Sequence, residues 1–366
     1  MENLKKLIAI NSYENKDQII NFLNDYFTGK VKEIKIVKNK ENNNKNLIIG
    51  INTNLKDIKP IVLSGHIDTV SPDFEKYNTN PLELVEIDGK CYGLGSIDMK
   101  SFIAVIMDKL EELKKINYPV VMCLTIDEET DFCGIKTIIN ELNELNIKPA
   151  FTIVGEPTKS QFNTTAKGCF EYEIEVFGKS CHSSIVRNGI NSINVLSKIV
   201  TFIEDKQQEY ADLTSNCGII SGGTILNRVP DYAKVIFDIR TLKTDVNLFT
   251  NSIRQKVEEL EQLYKGVKIK MTQVMEIFPF YEKDKYIVEN LANILNVGIY
   301  DFSGGCEAGF YQNYSGSAII FGVGDLALAH KPNEYVEKSE YYEYSKKLIK
   351  LLQTTSSFFR TAAFAC

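Results

Sequence analysis

Four short runs of apolar residues mark this chain, and each has the length and composition of a buried β-strand. They comprise residues 61–63, 120–125, 151–154 and 318–321. Segments with the apolar spacing of a helix lie between them, for example Lys100 to Ile116. Strands that alternate with helices predict an α/β domain, in which helices flank a mixed, largely parallel sheet.

Each apolar run leads into a polar segment that carries histidine or carboxylate groups. In chain order, these groups are His66 with Asp68, Asp127-Glu128-Glu129, Glu156, and His330. Ligands of open α/β sheets bind beyond the carboxyl ends of the strands, so the four segments are predicted to converge on one site. Imidazole and carboxylate groups are common ligands of divalent metal ions. The pattern therefore favours a metal-dependent hydrolase.

The middle of the chain has a different pattern. It predicts strands at residues 170–177, 219–226, 233–239 and 267–272, with helices at 191–205 and 246–263. This β-α-β-β-α-β order is typical of a ferredoxin-like fold. We therefore expect one catalytic domain in two segments, residues 1–168 and 278–366, and a small α+β domain inserted at residues 169–277.

Composition excludes several classes of function. The 366 residues carry a net charge of -6, which does not favour binding to nucleic acid or to an anionic membrane. The Lys/Asn-rich segment 38–46 is predicted to be a solvated loop. The eight cysteines form no Cys-x-x-Cys pair, and the N-terminus lacks the apolar core of a signal peptide, so a cytoplasmic protein with reduced thiols is expected.

Several polar residues allow a structural interpretation as well as a functional one. Asp98 precedes a predicted helix, so it is either the N-cap of that helix or a carboxylate that bridges two metal ions. Asp127-Glu128-Glu129 is either a solvated acidic loop or a cluster compensated by a cation. Glu156 is a metal ligand or a surface turn residue. Arg240 either binds a substrate carboxylate or forms a surface ion pair, and Asn227 either binds substrate or shapes a turn.

Taken in order, seven segments resemble the di-zinc aminoacylase/carboxypeptidase family, which includes acetylornithine deacetylases, succinyl-diaminopimelate desuccinylases and glutamate carboxypeptidases. The resemblance spans nearly the whole chain, and seven motifs in the right order are specific although each motif alone is weak. The motifs are Ser64-Gly65-His66-Ile67-Asp68-Thr69-Val70, Gly93-Leu94-Gly95-Ser96-Ile97-Asp98-Met99-Lys100, Asp127-Glu128-Glu129-Thr130, Gly155-Glu156-Pro157-Thr158, Gly189-Ile190-Asn191-Ser192-Ile193, Phe237-Asp238-Ile239-Arg240 and His330-Lys331-Pro332-Asn333-Glu334-Tyr335.

The resemblance implies a role for each of these polar residues. Two zinc ions would be held by His66, Asp98, Glu129, Glu156 and His330, with Asp98 bridging them. Oxygen and imidazole ligands also admit cobalt or manganese. Glu128 would be the general base and Asp68 would lie behind His66. The inserted domain would act as a lid and as the contact of a homodimer, and its His182 would polarise the scissile carbonyl in the partner's active site.

Within the family, Cys306-Glu307-Ala308 and Lys167-Gly168 resemble the acetylornithine deacetylases most. This similarity implies hydrolysis of N-acetyl-L-ornithine to ornithine and acetate, a reaction of arginine biosynthesis. Charge matching suggests that Glu307 pairs with the substrate amine and Arg240 with its carboxylate, while Asn227 and Lys167 are further candidates for substrate binding. A desuccinylase, another N-acyl-amino-acid deacylase, a dipeptidase or a non-catalytic binding homologue remain alternatives.

Overall fold

The structure, a computed structural model, describes the backbone of residues 1–363 and the side chains of residues 1–360. The chain divides into two compact units. The first unit comprises Met1–Ala166 and Phe280–Cys366, and the second comprises Lys167–Pro279. Residues 364–366, the end of the expected second catalytic segment, lie outside the described residues. No helix among residues 1–363 is long and apolar enough to cross a membrane.

The elements are numbered in chain order through both units. The strands are β1 (Glu33–Lys38), β2 (Lys45–Gly50), β3 (Ile61–His66), β4 (Val85–Ile87), β5 (Lys90–Tyr92), β6 (Val120–Thr125), β7 (Phe151–Val154), β8 (Phe162–Ala166), β9 (Gly168–Phe177), β10 (Thr214–Gly222), β11 (Tyr232–Thr241), β12 (Lys268–Ile277), β13 (Phe280–Tyr281), β14 (Ile299–Phe302), β15 (Ala318–Ile320) and β16 (Tyr335–Glu337). The helices are α1 (Glu2–Ile8), α2 (Lys16–Phe27), α3 (Lys100–Asp108), α4 (Leu110–Leu113), α5 (Cys133–Glu144), α6 (Ser192–Gln207), α7 (Val246–Leu263), α8 (Lys285–Leu295), α9 (Ala308–Ser315) and α10 (Lys338–Ala363).

The first unit is built around a mixed sheet with the strand order β1-β2-β6-β3-β7-β15-β8-β13, in which β14 also pairs with β8. The strands predicted from the four apolar runs are neighbours at its centre. β6, β3, β7 and β15 pair in parallel, whereas β1, β2 and β13 join by antiparallel pairing. The prediction of an α/β fold with a mixed, largely parallel sheet is confirmed.

Burial explains why these four runs form the centre. Every residue of β3, β6, β7 and β15 is buried, as expected for strands covered by helices on both faces. Helix α3 packs against the sheet through a face that includes Phe102 and Ile106, which are fully buried. Removal of apolar area from water stabilises a fold by roughly 25 cal/mol per Å², so burial of these strands and this helix favours the folded state.

The second unit has the predicted β-α-β-β-α-β order. Its four strands form an antiparallel sheet in the order β10-β11-β9-β12, and α6 and α7 contribute apolar residues to the same core. β9 and β11 alternate between buried and partly exposed positions, which is the pattern of a sheet with one covered face.

The structure differs from the sequence prediction most clearly in one helix and two strands. The helix expected over residues 100–116 is divided at Lys109 into α3 and α4. The strand expected at 219–226 runs from Thr214 to Gly222, because the next residue, Gly223, has φ +69 and turns the chain. The last strand of the second unit extends to Ile277.

The Lys/Asn-rich segment 38–46 has exposed residues at positions 40–43, as predicted for a solvated loop, but its ends at Lys38 and at Lys45-Asn46 belong to strands. It is the hairpin connection between β1 and β2, and it includes the buried residues Asn39 and Asn46. The Asn46 side chain accepts a hydrogen bond from the backbone N–H of Ile126 at 3.0 Å. Satisfied amide groups can be buried at little net cost, so the two buried asparagines of this segment are tolerated.

Candidate active site

The parallel strands bring the predicted site residues to one edge of the central sheet. His66 is the last residue of β3 and lies opposite Thr125, the last residue of the neighbouring β6. Glu128 and Glu129 follow β6 within a few residues, and Glu156 follows β7 in the same way. Carboxyl ends of parallel strands share one edge, so side chains that are far apart in sequence meet there.

Asp98 lies at the centre of this group. Its Oδ1 is 3.0 Å from His66 Nε2, and its Oδ2 is 3.4 Å from His330 Nε2. His330 Nε2 is also 2.8 Å from Glu129 Oε2. The alternative that Asp98 caps a helix is wrong, because α3 begins at Lys100 after Met99 and no side-chain bond caps it.

The imidazole and carboxylate groups form sets that could each hold a cation, and two of these sets have Asp98 in common. His66, Asp98 and Glu156 have ligand atoms within 4.8 Å of one another, and so do Asp98, Glu129 and His330. Each set combines one imidazole with two carboxylates, the donor chemistry of zinc and of similar divalent ions.

An unpaired buried atom gives a second test of metal binding. Glu156 is 4 % exposed, and its Oε1 has no hydrogen-bond partner among the described residues. Buried carboxylate oxygens are normally paired, and a cation is one partner that such an atom can have. Glu156 is therefore not a surface turn residue, and its orphaned oxygen fits a metal ligand.

The crowding of charges at the site also favours a bound cation. Burial, together with nearby carboxylates, raises the pKa of Glu156 and of Glu128 well above their usual range. Burial alone would lower the pKa of His66, but the charge of Glu128 and the carboxylates of Asp68 and Asp98 raise it well above its usual value. Like charges packed this closely need a compensating cation or proton. The solvated acidic loop proposed as an alternative for Asp127-Glu128-Glu129 is not observed.

Asp68 connects two of the loops that form the site. The His66 Nδ1 atom lies 3.1 Å from the backbone oxygen of Asp68 and 3.7 Å from its carboxylate Oδ1. The other carboxylate oxygen accepts hydrogen bonds from the backbone N–H groups of Asp127 and Glu129, at 3.1 and 3.3 Å. Asp68 therefore ties the segment after β3 to the segment after β6, in addition to lying behind His66.

Glu334 is a site residue to which the sequence analysis gave no role. It is buried, and its carboxylate accepts hydrogen bonds from the backbone N–H groups of Gly95, Ile97 and Asp98 at 3.0, 2.7 and 3.2 Å. Burial raises its pKa to about 8. The bonds hold the loop that carries Asp98. The only sequence signal for Glu334 is its position four residues after His330. This position does not identify the backbone groups to which Glu334 is hydrogen-bonded.

Glu307 lies in the interior of the first unit. It is 1 % exposed, and its two carboxylate oxygens accept hydrogen bonds from the hydroxyl groups of Ser64, at 2.6 Å, and Thr125. Both hydroxyls stand near the carboxyl ends of neighbouring strands, β3 and β6. Each carboxylate oxygen can accept a second hydrogen bond, so a contact with a substrate amine depends on access to this buried side chain.

The other predicted residues belong to the second unit. His182 is exposed, and its Nδ1 accepts a hydrogen bond from the backbone N–H of Ser184 at 3.2 Å. Arg240 forms an ion pair with Asp238 at 2.9 Å and is 41 % exposed, which agrees with the surface-pair alternative. Asn227 and Lys167 are also exposed, and the backbone oxygen of Asn227 accepts a bond from Ser183 N–H.

Comparisons with known proteins identify the family of this chain. Residues 62–354 match Peptidase family M20/M25/M40. An acetylornithine deacetylase of Buchnera aphidicola subsp. Schizaphis graminum (strain Sg) is 32% identical, covering 96% of this chain and 95% of the relative. An acetylornithine deacetylase of Pasteurella multocida (strain Pm70) is 30% identical, covering 80% of this chain and 79% of the relative.

Among solved structures, a tripeptidase from Staphylococcus aureus superimposes with a TM-score of 0.77 at 19% identity and covers 97% of both chains. A Bacillus subtilis protein described as a dinuclear metal binding peptidase from the M20 family gives a TM-score of 0.68 at 15% identity, again covering 97% of both chains. At these identities the likeness shows the fold. From the family match, the deacetylase relatives and the cluster of imidazole and carboxylate ligands, we conclude that the chain belongs to Peptidase family M20/M25/M40 and is a metal-dependent hydrolase of amides.

Proposed function

We propose that this protein is an acetylornithine deacetylase, which hydrolyses N-acetyl-L-ornithine to ornithine and acetate as a cytoplasmic step of arginine biosynthesis. The observation that carries the amide hydrolysis is the buried cluster of His66, Asp98 and Glu156, which shares Asp98 with Glu129 and His330. The choice of acyl-amino acid rests on similarity, since the deacetylase relatives are about 30% identical over most of the chain.

In this proposal each subunit binds two zinc ions, for which cobalt or manganese can substitute. One ion would be held by His66, Asp98 and Glu156, and the other by Asp98, Glu129 and His330. When bound, such ions lower the pKa of an attacking water and polarise the amide carbonyl. The chain contributes the negative charge that retains them, and it buries the ligands His66, Asp98 and Glu156.

Glu128 is the proposed general base. Its Oε2 is 4.0 Å from His66 Nε2, so it borders the cluster while its side chain remains 11 % exposed. A carboxylate with a raised pKa is a better proton acceptor near neutral pH than an ordinary one. Glu128 would take a proton from the attacking water and then deliver it to the leaving amine of ornithine.

His182 is the proposed donor to the carbonyl oxygen. Because its Nδ1 accepts the Ser184 N–H, the neutral ring carries its proton on Nε2. An Nε2–H donor aimed at an oxygen that becomes negative stabilises the transition state more than the ground state. The role and the placement of His182 in the partner's site follow from the family resemblance.

The proposed homodimer would form through the second unit. This unit exposes apolar side chains on the edge strand β10 and in the loop that follows it, namely Ile219, Ile220, Ile225 and Leu226. The last of these is 100% exposed. Apolar groups clustered on an edge strand are typical of a surface that is covered by another chain.

Four residues are proposed to bind the substrate: Arg240, Asn227, Lys167 and Glu307. Arg240 would exchange Asp238 for the substrate carboxylate, and Glu307 would pair with the side-chain amine. In Glu307→Gln, the proposal predicts a KM for N-acetylornithine raised about tenfold or more, because a charged partner is lost. An unchanged KM would count against a direct contact.

The first experiment is release of ornithine from N-acetylornithine by zinc-loaded protein. Glu128→Ala is the test variant, and Glu144→Ala, at an exposed glutamate on α5, is the matched control. Succinyl-diaminopimelate, N-acetylcitrulline and a dipeptide are assayed in parallel. Turnover of acetylornithine that disappears in Glu128→Ala but not in Glu144→Ala supports the proposal. Turnover of another amide alone would overturn the substrate, and no turnover by protein with two bound ions would overturn the activity.

A further inference from the structure

Asp127, the residue before the proposed general base, accepts hydrogen bonds from three side chains. Asp127 is 2 % exposed, and its Oδ1 accepts hydrogen bonds from the Lys16 ammonium group and from Asn44 Nδ2 at 3.0 Å. Its Oδ2 accepts from Asn42 Nδ2 at 3.0 Å and from Asn44 Nδ2 at 2.8 Å. A buried carboxylate with this many donors, one of them charged, has a single well-defined position.

The backbone of Asp127 organises the loop that carries Glu128 and Glu129. Its carbonyl oxygen accepts hydrogen bonds from the N–H groups of Thr130, Asp131 and Phe132, at 3.4, 3.1 and 2.8 Å. Its own N–H donates to Asp68 Oδ2 at 3.1 Å. One residue therefore closes the turn and also joins it to the segment that follows β3.

The conformation of Asp127 requires support from its surroundings. Its φ is +73, a left-handed conformation that non-glycine residues seldom adopt without compensating contacts, although Asp and Asn tolerate it better than most. Such residues persist where neighbouring structure holds them, and they concentrate at functional sites. The side-chain contacts described above supply that support.

The partners come from two distant parts of the chain. Lys16 is the first residue of α2, whereas Asn42 and Asn44 lie in the turn between β1 and β2. That turn is itself ordered, since Asn42 Oδ1 accepts the Asn44 N–H at 2.9 Å. β2 pairs with β6, and this pairing brings the turn to the end of β6, where Asp127 lies.

We propose that Lys16, Asn42 and Asn44 form a clamp on Asp127 that fixes the loop 127–132 and thereby positions Glu128 and Glu129 at the metal cluster. These are positioning residues, because they act through Asp127 and not on the substrate. The catalytic part of the proposal rests on the proposed function. The conformational part does not, because it concerns a loop whose order is measured without substrate or metal.

The conformational test is amide hydrogen exchange on the full-length, metal-free protein. In Asn44→Ala, exchange of the amides of residues 127–132 is expected to accelerate about tenfold or more, since hydrogen bonds to a charged group are lost. Lys16→Met is a second variant at a side chain that is 28 % exposed, so it should fold even where Asn44→Ala does not. Lys40→Ala, at an exposed residue of the same turn, is the control and should exchange as the wild type does.

The catalytic test separates positioning from stability. In Asn44→Ala and Lys16→Met, kcat should fall about 10- to 100-fold with KM within about threefold, the usual effect of losing a group behind metal ligands. The visible spectrum of the cobalt-substituted protein should change, because the spectrum reports ligand geometry. Lys16→Arg, which retains the charge, should recover most of kcat.

Each outcome decides the proposal. Faster exchange in the loop together with a lower kcat and an altered cobalt spectrum supports the clamp. Unchanged exchange overturns it. Faster exchange with kcat and spectrum as in the wild type overturns the positioning role and leaves a purely structural one. If the wild type hydrolyses none of the substrates, the proposed function fails, and the exchange data still decide whether the clamp orders the loop.

Discussion

The candidate site residues of the two units differ in burial. In the first unit, His66, Asp98 and Glu156 are buried within a few ångströms of one another, and Glu156 Oε1 has no hydrogen-bond partner among the described residues. In the second unit, His182 and Arg240 are exposed or partly exposed, and each has a local partner, Ser184 and Asp238. Burying several charges together is costly, whereas a solvated polar group with a neighbour costs little.

This difference has a practical meaning for assigning function. A group of candidate ligands that is buried and crowded, with an oxygen that has no hydrogen-bond partner, indicates a bound ion. This inference does not depend on the sequence motifs. An exposed histidine or arginine carries no such signal, and its assignment here depends on family resemblance. The predictions below test whether the two units differ in function as they differ in burial.

Metal removal should have the largest effect, and it should affect only the first unit. A chelator is expected to abolish hydrolysis, because without cations the carboxylates of Asp98, Glu128 and Glu156 repel one another. Amide exchange should accelerate in the loops around these residues and stay unchanged in Lys167–Pro279. Added zinc should restore both properties. Equal acceleration of amide exchange in both units would contradict the expectation that metal removal affects only the first unit.

If His182 donates to the oxyanion as proposed, His182→Ala should lower kcat about 10²- to 10³-fold without loss of bound metal, since His182 is not among the proposed ligands. Lys179→Ala, an exposed residue of the same segment, is the control. Loss of bound metal in His182→Ala, measured by elemental analysis, would contradict the division between the units.

Mixing His182→Ala with Glu128→Ala sharpens this test. If His182 acts in the partner's site, half of the dimers are mixed and one of their two sites has both groups, so about a quarter of the wild-type activity should return. No recovery after verified subunit exchange would place both groups in one subunit.

Arg240→Ala should raise KM about 10- to 100-fold with a smaller change in kcat, the effect expected from losing a charged hydrogen bond to a carboxylate. Arg240→Lys should recover part of the loss, because it retains the charge without the planar fork. Arg254→Ala, an exposed arginine on α7 in the same unit, serves as the control. Steady-state kinetics with N-acetylornithine measure KM and kcat of these variants. An unchanged KM in Arg240→Ala would mean that Arg240 only pairs with Asp238.

Asp212→Asn should have the smallest effect, on the stability of the second unit alone. Partial burial would raise the pKa of Asp212, but hydrogen bonds from the Thr244 hydroxyl and from the backbone N–H groups of residues 242–244 lower it to about 2. The folded-state pKa is depressed, so the stabilisation is present above about pH 4 and is lost as the pH falls towards 2.

The difference in unfolding free energy between Asp212→Asn and wild type should therefore be about 1 kcal/mol at pH 7, after allowance for solvent screening, and should shrink below pH 4. Urea denaturation at several pH values measures it. A difference that grows in acid would have the wrong sign for a depressed carboxyl pKa.

Several elements were predictable from local sequence and others were not. β3, β6, β7 and β15 were found because each is a continuous buried apolar run. β1 and β8 were missed, because Glu33–Lys38 is rich in lysine with one largely exposed face and Phe162–Ala166 is mostly polar. Their places in the sheet come from pairing with neighbours, which a single segment does not encode.

The candidate ligands were predictable for a related reason. His66 ends a buried strand, Glu129 and Glu156 follow buried strands within a few residues, and strand ends of a parallel sheet meet at one edge. Glu334 and the clamp on Asp127 were not predictable. Glu334 bonds to residues more than 230 positions away, and Lys16 lies 111 positions from Asp127.

By itself, the sequence determined the alternation of strands and helices, the order of the motifs and the chemical types of the ligands, because apolar periodicity and side-chain chemistry are local properties. Which carboxylates lie next to His66 and His330, and which polar groups hydrogen-bond to those carboxylates, depends on the tertiary structure. The same is true of the contact between the lysine- and asparagine-rich turn and the loop that carries Glu128. These outcomes depend on burial, since the same charges cost little in water and must be paired, shared or neutralised inside the protein.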